Sequence, residues 1–286
     1  MPRLLIAGCG YVGAALADLF HDAGWEVEGW TRSAQSAASL AGKEYKVSTI
    51  DITDGEQVAG STGKFDAIIH CASTRGGDAG LYRRVYFEGA RHLLEHFAPS
   101  VFLFTSSTSV YAQDTGEWVT EESVAEPGHE NGKILRQAER LVQTRGGVVA
   151  RLAGIYGPGR AALLKRLMRG EARIDLENDR FINQVHRDDA AAALFLLLNG
   201  QGKREEIFNV VDNEPVRQSE CYRWLAQRLN RSLPATGPAL SPRKRGRSHK
   251  RVSNAKLRAL GWTPRYPSFV TGMEKSVLPS LPQEPL

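Results

Sequence analysis

The chain has 286 residues, of which 42% are hydrophobic and 24% are charged, and its formal net charge is +5. This length suits one large α/β domain, or one domain with a small lobe, and the composition is ordinary for a globular protein. The longest apolar run, residues 190–198, is too short for a membrane helix of roughly 20 residues, so we expect a buried helix there and no membrane partner.

Strand and helix patterns alternate through the first half of the chain. Apolar or β-branched runs predict strands, and amphipathic stretches predict helices, in the order strand 3–8, helix 11–23, strand 25–31, helix 34–40, strand 45–50, strand 64–73, helix 80–97, strand 100–107, helix 132–144 and strand 147–157. This alternation predicts a parallel sheet covered on both faces. Right-handed crossovers would make it a doubly wound α/β fold of Rossmann type.

The alternation breaks after Tyr156. A helix at 188–198 and a strand at 206–211 are expected to return to the sheet, and a further helix is expected at 219–229. The proline-rich remainder suits a small irregular lobe. We therefore predict a coenzyme-binding domain at 1–157 and a mostly substrate-binding lobe at 158–286, from which 188–211 rejoins the sheet.

The positive charge is local, and the cysteines are few. Six Lys and Arg residues lie between Arg243 and Arg251, and without them 31 basic residues face 32 acidic ones. The isoelectric point therefore predicts no general affinity for nucleic acid. The three cysteines lack metal-ligand spacing and are too few for a disulfide framework, so we expect no metal and a cytoplasmic protein. A secretory signal explains the N-terminus less well than its glycine spacing does.

That glycine spacing is the sharpest motif. AGCGYVG (7–13) sets Gly8, Gly10 and Gly13 in a GxGxxG pattern between a strand and a helix. In this context Gly8 permits a tight turn, Gly10 lets the backbone approach a diphosphate, and Gly13 allows close packing of helix on strand. The diphosphate would rest on the N-terminal N–H groups of the helix, including those of Tyr11 and Val12. A purely structural glycine turn is the alternative.

The end of the second strand bears on which coenzyme binds. An acidic residue there would bind the ribose 2′-hydroxyl of NAD, whereas an arginine accommodates the 2′-phosphate of NADP. The chain has Thr31 and Arg32 at this point, and Glu28 lies too early in the strand. We therefore prefer NADP over NAD, with a solvated Arg32 as the alternative. Asp51 and Ile52, after the third strand, suit the adenine edge, although Asp51 would also serve as a helix cap.

Seven motifs in order carry a resemblance. The glycine loop is followed by DIT (51–53), IIHCAS (68–73), TSSTSVYA (105–112), RLAGIYGPGR (151–160), VHRDDAAAAL (185–194) and IFNVVDNEP (207–215). The chain resembles the extended short-chain dehydrogenase/reductase superfamily, the NAD(P)-dependent epimerases and dehydratases, and within it an atypical branch with an incomplete active site. The resemblance implies that Cys71, Ala72, Ser73 and Pro158 lie beside the coenzyme. Dimerisation through the two long helices is a further implication.

The active-site residues of that superfamily are mostly replaced. Its serine corresponds to Ser107, but its Tyr-x-x-x-Lys pair falls on Asn131 and Leu135, and a frequent asparagine falls near Tyr86. In the superfamily the tyrosine relays a proton while the lysine lowers its pKa and holds the nicotinamide ribose. Asparagine and leucine cannot perform these steps.

Three replacements for the missing acid are open. His129 and Lys133 keep the spacing of the pair, but a shift of two residues turns them by roughly 200° around the helix. Tyr86 could reach in from the long helix, or it could be a core tyrosine. Arg75 lies near the expected nicotinamide and could polarise a carbonyl, or it could be solvated.

On the substrate side we expect Arg160, His186 and the basic run, including Arg247. Arginines suit bidentate contact with a second diphosphate, while a flexible surface segment and weak RNA binding are the alternatives for the run. Asp188 or Asp189 is expected to cap the helix that follows. Two functions remain: an oxidoreductase of epimerase/dehydratase type acting on an unidentified carbonyl or nucleotide-sugar-like substrate, and a coenzyme-binding sensor or scaffold without turnover.

Overall fold

The computed structural model describes residues 1–74, 76–201, 204–238 and 248–282. Thirteen strands are found in these ranges. They are β1 Arg3–Ala7, β2 Glu26–Thr31, β3 Lys46–Thr49, β4 Ala67–His70, β5 Val101–Ser107, β6 Trp118–Val119, β7 Val148–Leu152, β8 Gly154–Tyr156, β9 Phe181–Ile182, β10 Gln184–His186, β11 Ile207–Val210, β12 Val216–Arg217 and β13 Arg251–Val252.

Eleven α-helices accompany them in the same ranges. They are α1 Tyr11–Asp22, α2 Ala34–Ala38, α3 Gly55–Ala59, α4 Ala79–Tyr82, α5 Gly89–Phe97, α6 Glu130–Thr144, α7 Ala162–Met168, α8 Arg187–Leu196, α9 Gln218–Arg228, α10 Ala255–Ala259 and α11 Phe269–Gly272. The π-helical segments are Arg83–Glu88, Leu197–Gln201 and Met273–Val277, and the 3₁₀ turns are Thr108–Val110 and Leu278–Ser280.

Seven strands form one parallel sheet in the order β11-β7-β5-β4-β1-β2-β3. The predicted α/β, Rossmann-type doubly wound fold is therefore confirmed. The order reverses beside β1, which pairs with β2 on one side and with β4 on the other. In such sheets ligands bind beyond the carboxyl ends of the strands at this reversal, and the glycine motif directly follows β1.

The central strands of the sheet are buried on both faces, which favours apolar residues at successive positions, whereas the edge strand β3 is partly exposed. Two clusters of buried side chains pack against the two faces of the sheet, and helices α1 and α8 lie against each other on one of them. A third cluster lies in the C-terminal half and joins α7, α9 and α11 around Tyr156 and Tyr222. Outside the large sheet, the described strands form the small pairings β8–β10, β9–β12 and β6–β13.

One feature of the long helix was not predicted. Helix 80–97 was expected to be regular, but α4 and α5 are joined by the π-helical segment Arg83–Glu88, whose residues keep helical backbone angles at both ends. Such π segments are rare and are often found at functional sites. Tyr86 lies within this one.

Candidate coenzyme and substrate site

The glycine turn after β1 is as tight as the motif predicts. Gly8 has φ of +102°, and a Cβ added to it would overlap the backbone of Ala72 at the end of β4. A Cβ on Gly13 would overlap the carbonyl oxygen of Gly8, so α1 packs directly on the turn. The space around Gly10 is open, because a Cβ there would meet no atom within 4 Å. The loop therefore leaves room for a ligand at Gly10 alone.

The N-terminus of α1 offers free donors. Its N-cap residue is Gly10, which has no side chain to bond the first N–H groups. Among the described residues, the backbone N–H groups of Tyr11 and Val12 have no acceptor, while the N–H of Ala14 already donates to the Gly10 carbonyl. Free N–H groups and the helix dipole together favour an anion. The residues present therefore fit the diphosphate of a dinucleotide.

The end of β2 carries no available carboxylate. Glu28 is buried, and it accepts hydrogen bonds from Trp30 Nε1 at 3.0 Å and Lys46 Nζ at 3.1 Å. Thr31 is also buried and donates to the carbonyl of Ser33. Arg32 is exposed and forms no ion pair or hydrogen bond with the residues that the structure describes. Among the described residues of this strand end, the charge left free to meet a ribose substituent is the positive one of Arg32.

A cleft opens beside this strand end. It has a volume of about 570 Å³ and is bordered by Gly10 and Tyr11 on one side and by Ser36, Ser39 and Lys43 on the other. Lys43 Nζ donates to Asp18 at 2.8 Å across it. Two hydroxyls and the ion pair of Lys43 with Asp18 thus line space next to the glycine turn.

The remaining expected coenzyme residues surround the same edge of the sheet. Asp51 accepts a hydrogen bond from the Thr53 N–H at 2.9 Å and so shapes the turn after β3, while Asp54 caps α3. Ile52 is buried in the second cluster. Of the residues after β4, Cys71 and Ala72 are half-buried and Ser73 is exposed. Burial raises the pKa of Cys71 to about 12, so this thiol stays protonated and unreactive at neutral pH.

Tyr11 connects the glycine turn to the GPGR turn. Its hydroxyl donates to the carbonyl of Pro158 at 2.9 Å. The guanidinium groups of Arg160 and Arg187 lie 5.5 and 5.2 Å from the centre of its ring, which is within the range of a cation–π contact. Arg160 is thus held beside the coenzyme turn, and Arg187 is a cation that the sequence did not point to.

Helix α6 is present, and its first turns contain Asn131 and Leu135, the residues aligned with the Tyr-x-x-x-Lys pair. Leu135 is 2% exposed and packs in the first cluster, and the Asn131 amide donates to the Gly77 carbonyl at 3.4 Å. The helix begins at Glu130, earlier than predicted, with His129 as its N-cap. Lys133 is exposed and lies 3.6 Å from Glu130. Lys133 therefore points to solvent.

Ser107 ends β5 and is half-buried. Its hydroxyl oxygen accepts a hydrogen bond from the Ser109 N–H at 3.2 Å and caps the short 3₁₀ turn. The hydroxyl proton is not used by this bond. Ser107 is therefore able to donate to a ligand at the carboxyl end of the sheet.

Tyr86 contacts the last residue of β4 and the middle of β5. Its ring stacks on His70 with centroids 6.3 Å apart and contacts Tyr82 at 5.1 Å and Phe104 at 6.4 Å. The side chain is half-buried. Burial lowers the pKa of His70 to about 4. The imidazole that stacks on the Tyr86 ring is therefore uncharged at neutral pH.

His186 was expected to face the substrate, but the structure buries it. Its Nε2 lies 2.9 Å from Ser276 Oγ, and its Nδ1 accepts from the Asp188 N–H, so it is His186 and not an aspartate that caps α8. Burial lowers its pKa to about 4, against the opposing effect of Asp188. Asp189 accepts instead from the N–H groups of Arg265 and Tyr266. These residues hold the lobe together and do not touch the cleft.

A buried ionic network behind the site was missed. Glu139 and Arg151 are both at most 1% exposed and form two hydrogen bonds, of 3.0 and 2.8 Å. Ser106 and Arg136 also donate to Glu139, and Arg151 donates to the Tyr111 hydroxyl at 2.8 Å. An arginine in the middle of the apolar strand VVARL was the available signal, because a buried cation requires an acidic partner.

Two expected site residues, Arg75 and Arg247, lie outside the described residues. Across the part of the chain that is described, no group of three or more His, Cys, Asp or Glu side chains is arranged to hold a metal ion. No described helix is long and apolar enough to cross a membrane.

Comparison with known proteins agrees with this geometry. The model of the NAD-dependent epimerase/dehydratase family matches residues 4–210. The chain therefore belongs to this family. It is 28% identical to Protein YeeZ of Escherichia coli K12 over 243 residues, which cover 82% of this chain and 86% of YeeZ.

Solved structures of other proteins have a similar fold. A Methylobacillus flagellatus protein assigned as an NAD-dependent epimerase/dehydratase is 29% identical, with a TM-score of 0.79 over 96% of this chain and 97% of that one. A dTDP-glucose 4,6-dehydratase of Streptomyces venezuelae, solved with NAD, shares the fold at 20% identity and a TM-score of 0.82, over 97% of this chain and 96% of that one.

Proposed function

We propose that the protein is an NAD(P)-dependent oxidoreductase of the epimerase/dehydratase type that prefers NADP and acts on a carbonyl or nucleotide-sugar-like substrate. The observation that carries this proposal is the uncapped N-terminus of α1 beside the open space at Gly10. The coenzyme is assigned to residues 1–157, and the substrate to the lobe formed mostly by 158–286, with Arg160 at the junction. A cytoplasmic location is consistent with this assignment.

The preference for NADP is supported by the charges at the end of β2. Glu28 is tied to Trp30 and Lys46, and Arg32 is free to meet a 2′-phosphate. The adjoining cleft adds Lys43 and two serine hydroxyls. Asp18, the carboxylate that also lines the cleft, is paired with Lys43. Arg32 is therefore the group that offers complementary charge to a 2′-phosphate.

The proposed chemistry uses a different proton donor from the rest of the family. When bound, the nicotinamide would exchange a hydride with the substrate carbon. Ser107 would donate a hydrogen bond to the substrate oxygen. Tyr86 is our candidate for the proton donor, because its half-buried ring contacts His70 at the end of β4 and Phe104 in β5, the strand that Ser107 ends.

A second function has its own supporting observation. Leu135 is packed into the core and Asn131 bonds a backbone carbonyl, so neither can replace the lost pair. A protein that binds the coenzyme as a sensor or scaffold, without turnover, would need only the glycine turn. Loss of the reduced-nicotinamide absorbance with a panel of carbonyl compounds distinguishes the two, since only the oxidoreductase consumes the coenzyme.

The test of coenzyme binding is a pair of variants at one position. Gly10→Asp places a carboxylate in open space, so the fold is kept while the diphosphate is repelled. Gly10→Ala adds only a methyl group. In titration calorimetry we expect binding of NADPH to the native protein and to Gly10→Ala, and none to Gly10→Asp. Equal affinities in Gly10→Asp and the native protein would refute the proposed site.

A further inference from the structure

An apolar groove lies on the lobe, between α7 and the C-terminal 3₁₀ turn Leu278–Ser280. Its volume is about 180 Å³, and its apolar wall is formed by Leu164, Met168, Val277 and Leu281. Leu164 and Val277 are at most 2% exposed, whereas Met168 and Leu281 are 44% and 40% exposed. The groove, called here the α7 groove, is thus an apolar depression open to solvent.

The arrangement follows from the sequence of α7. Leu163, Leu164 and Leu167 turn inward and pack in the third cluster. Met168 follows this stripe by one position and so falls at its edge. A helix that only needed to pack against the lobe would carry a polar residue there. The exposed methionine and Leu281 instead face the same depression.

Cations surround the α7 groove without acidic partners. Arg160, Lys165 and Arg169 border it, and none of the three forms an ion pair with the residues that the structure describes. Lys165 Nζ donates to the Gly159 carbonyl at 2.7 Å, which leaves two of its N–H groups available. Residues 160–173 contain five basic residues and one acidic residue. Within the described part of the chain, no salt bridge neutralises the positive charge at this rim.

We propose that the α7 groove binds a small amphipathic anion: a carboxylate or phosphate that carries a short alkyl or aryl group. The apolar wall suits the hydrocarbon part, because burying it removes apolar surface from water. The three cations suit the head group, because hydrogen bonds between ions are stronger than neutral ones. The volume equals that of roughly six water molecules, which limits the apolar part to a short chain or one ring.

This site is separate from the coenzyme turn but adjoins it. Arg160 borders the α7 groove, and its guanidinium also lies 5.5 Å from the Tyr11 ring centre. The inference does not depend on the proposed oxidoreductase activity, since none of the groove residues named above except Arg160 was assigned to that reaction. A ligand in the groove would sit on the lobe side of the GPGR turn.

The test measures hexanoate binding by saturation-transfer NMR titration of the whole protein. Hexyl phosphate distinguishes a phosphate source of the anion from a carboxylate, while hexanol and hexylamine have the same chain without the negative charge. We expect one or both anions to bind at least about tenfold more tightly than hexylamine, a difference of roughly 1.4 kcal/mol. Equal binding of hexylamine, or no binding of either anion, would overturn the proposal.

A matched pair of variants localises the site. Arg169→Glu reverses a charge at the rim, and Arg166→Glu makes the same change on the same helix at an exposed position that does not border the groove. We expect anion affinity to fall about tenfold in Arg169→Glu and to stay near the native value in Arg166→Glu. Equal losses in both would show a diffuse charge effect and reject the site.

Two further readouts separate this proposal from others. Sedimentation of the native protein and of Met168→Glu tests a second copy of the chain as the occupant. A native dimer that dissociates in Met168→Glu would overturn the small-ligand proposal. NADPH affinity is measured in the same samples. If the native protein did not bind NADPH, the proposed function would be rejected. The anion titration would still show whether the α7 groove binds an amphipathic anion.

Discussion

The hydroxyl of Tyr11 donates a hydrogen bond of 2.9 Å to the carbonyl oxygen of Pro158, 147 residues later in the chain. The bond joins the first turn of α1 to the turn that leads into the lobe. The space between them is small, since a Cβ on Gly157 would lie 2.6 Å from the same hydroxyl. This hydrogen bond therefore connects the glycine turn (residues 8–13) to the start of the lobe, next to the expected position of the dinucleotide.

Removing that hydroxyl should loosen the junction. Tyr11→Phe is expected to lower the free energy of unfolding by about 1 kcal/mol, the usual net value of one hydrogen bond. Tyr11→Ala should cost more, because the ring contacts with Arg160 and Arg187 are lost as well. Urea denaturation of the three proteins measures this order. A Tyr11→Phe variant as stable as the native protein would show that the bond contributes nothing.

Reversing the charge at the end of β2 should change coenzyme preference. Arg32→Glu is expected to weaken NADPH binding by roughly 10- to 100-fold, the range for one hydrogen bond to a charged group, and to leave NADH binding equal or stronger. Arg145→Glu, an exposed arginine after α6, serves as the control. Unchanged NADPH affinity in Arg32→Glu would remove the case for NADP.

The Glu139–Arg151 pair should be far more sensitive to single changes than to a double one. Glu139→Leu leaves the buried guanidinium of Arg151 without its carboxylate, which is expected to cost about 3–5 kcal/mol. The double variant with Arg151→Met also removes the buried positive charge. Its free energy of unfolding should therefore recover most of the stability that Glu139→Leu loses. Urea denaturation of both singles and the double variant completes the cycle. A purely additive result would contradict strong coupling between the two residues.

Acid should destabilise the protein through two buried histidines. The folded-state pKa values of His70 and His186 are lowered to about 4 by burial, whereas an unfolded histidine titrates near 6.5. The unfolded state therefore binds more protons between these values, so stability is full above pH 6.5 and falls toward pH 4. The slope is at most about 1.4 kcal/mol per pH unit for each histidine.

An asparagine at one of these positions checks the assignment. His186→Asn keeps an acceptor that can cap α8 and removes one titrating group. Urea denaturation at pH 7 and pH 5 should show a smaller acid loss in His186→Asn than in the native protein. The exposed His96→Asn should behave like the native protein. Equal acid loss in both variants would exclude a contribution from His186.

The sheet could be predicted because its signals are local. Strands Val101–Ser107 and Val148–Leu152 each begin with a run of apolar residues, and the glycine motif follows β1 as its spacing requires. The confirmed family also follows from motif order. Glu28 lies early in β2, and the structure buries its carboxylate against Trp30 and Lys46.

The parts that were missed depend on contacts distant in sequence. His186 precedes a helix and follows an apolar strand, so nothing local shows that Tyr266 and Ser276 close over it. Helix α7 has both core leucines and basic residues, which an ordinary surface helix would also have. The α7 groove forms because Leu281, more than 100 residues later in the chain, lies opposite this helix. Such features require knowledge of which segments meet.

The π-helical segment Arg83–Glu88 has one consequence for how this site arose. A π turn holds one more residue than an α turn, and each residue of an ordinary helix advances side chains by about 100°. Deleting a single residue from the segment would let α4 and α5 run on as one regular helix. The tyrosine ring would then swing away from His70 and Phe104. The orientation of this aromatic group thus depends on the length of the backbone, so a single-codon insertion in an ancestral gene is enough to have created it.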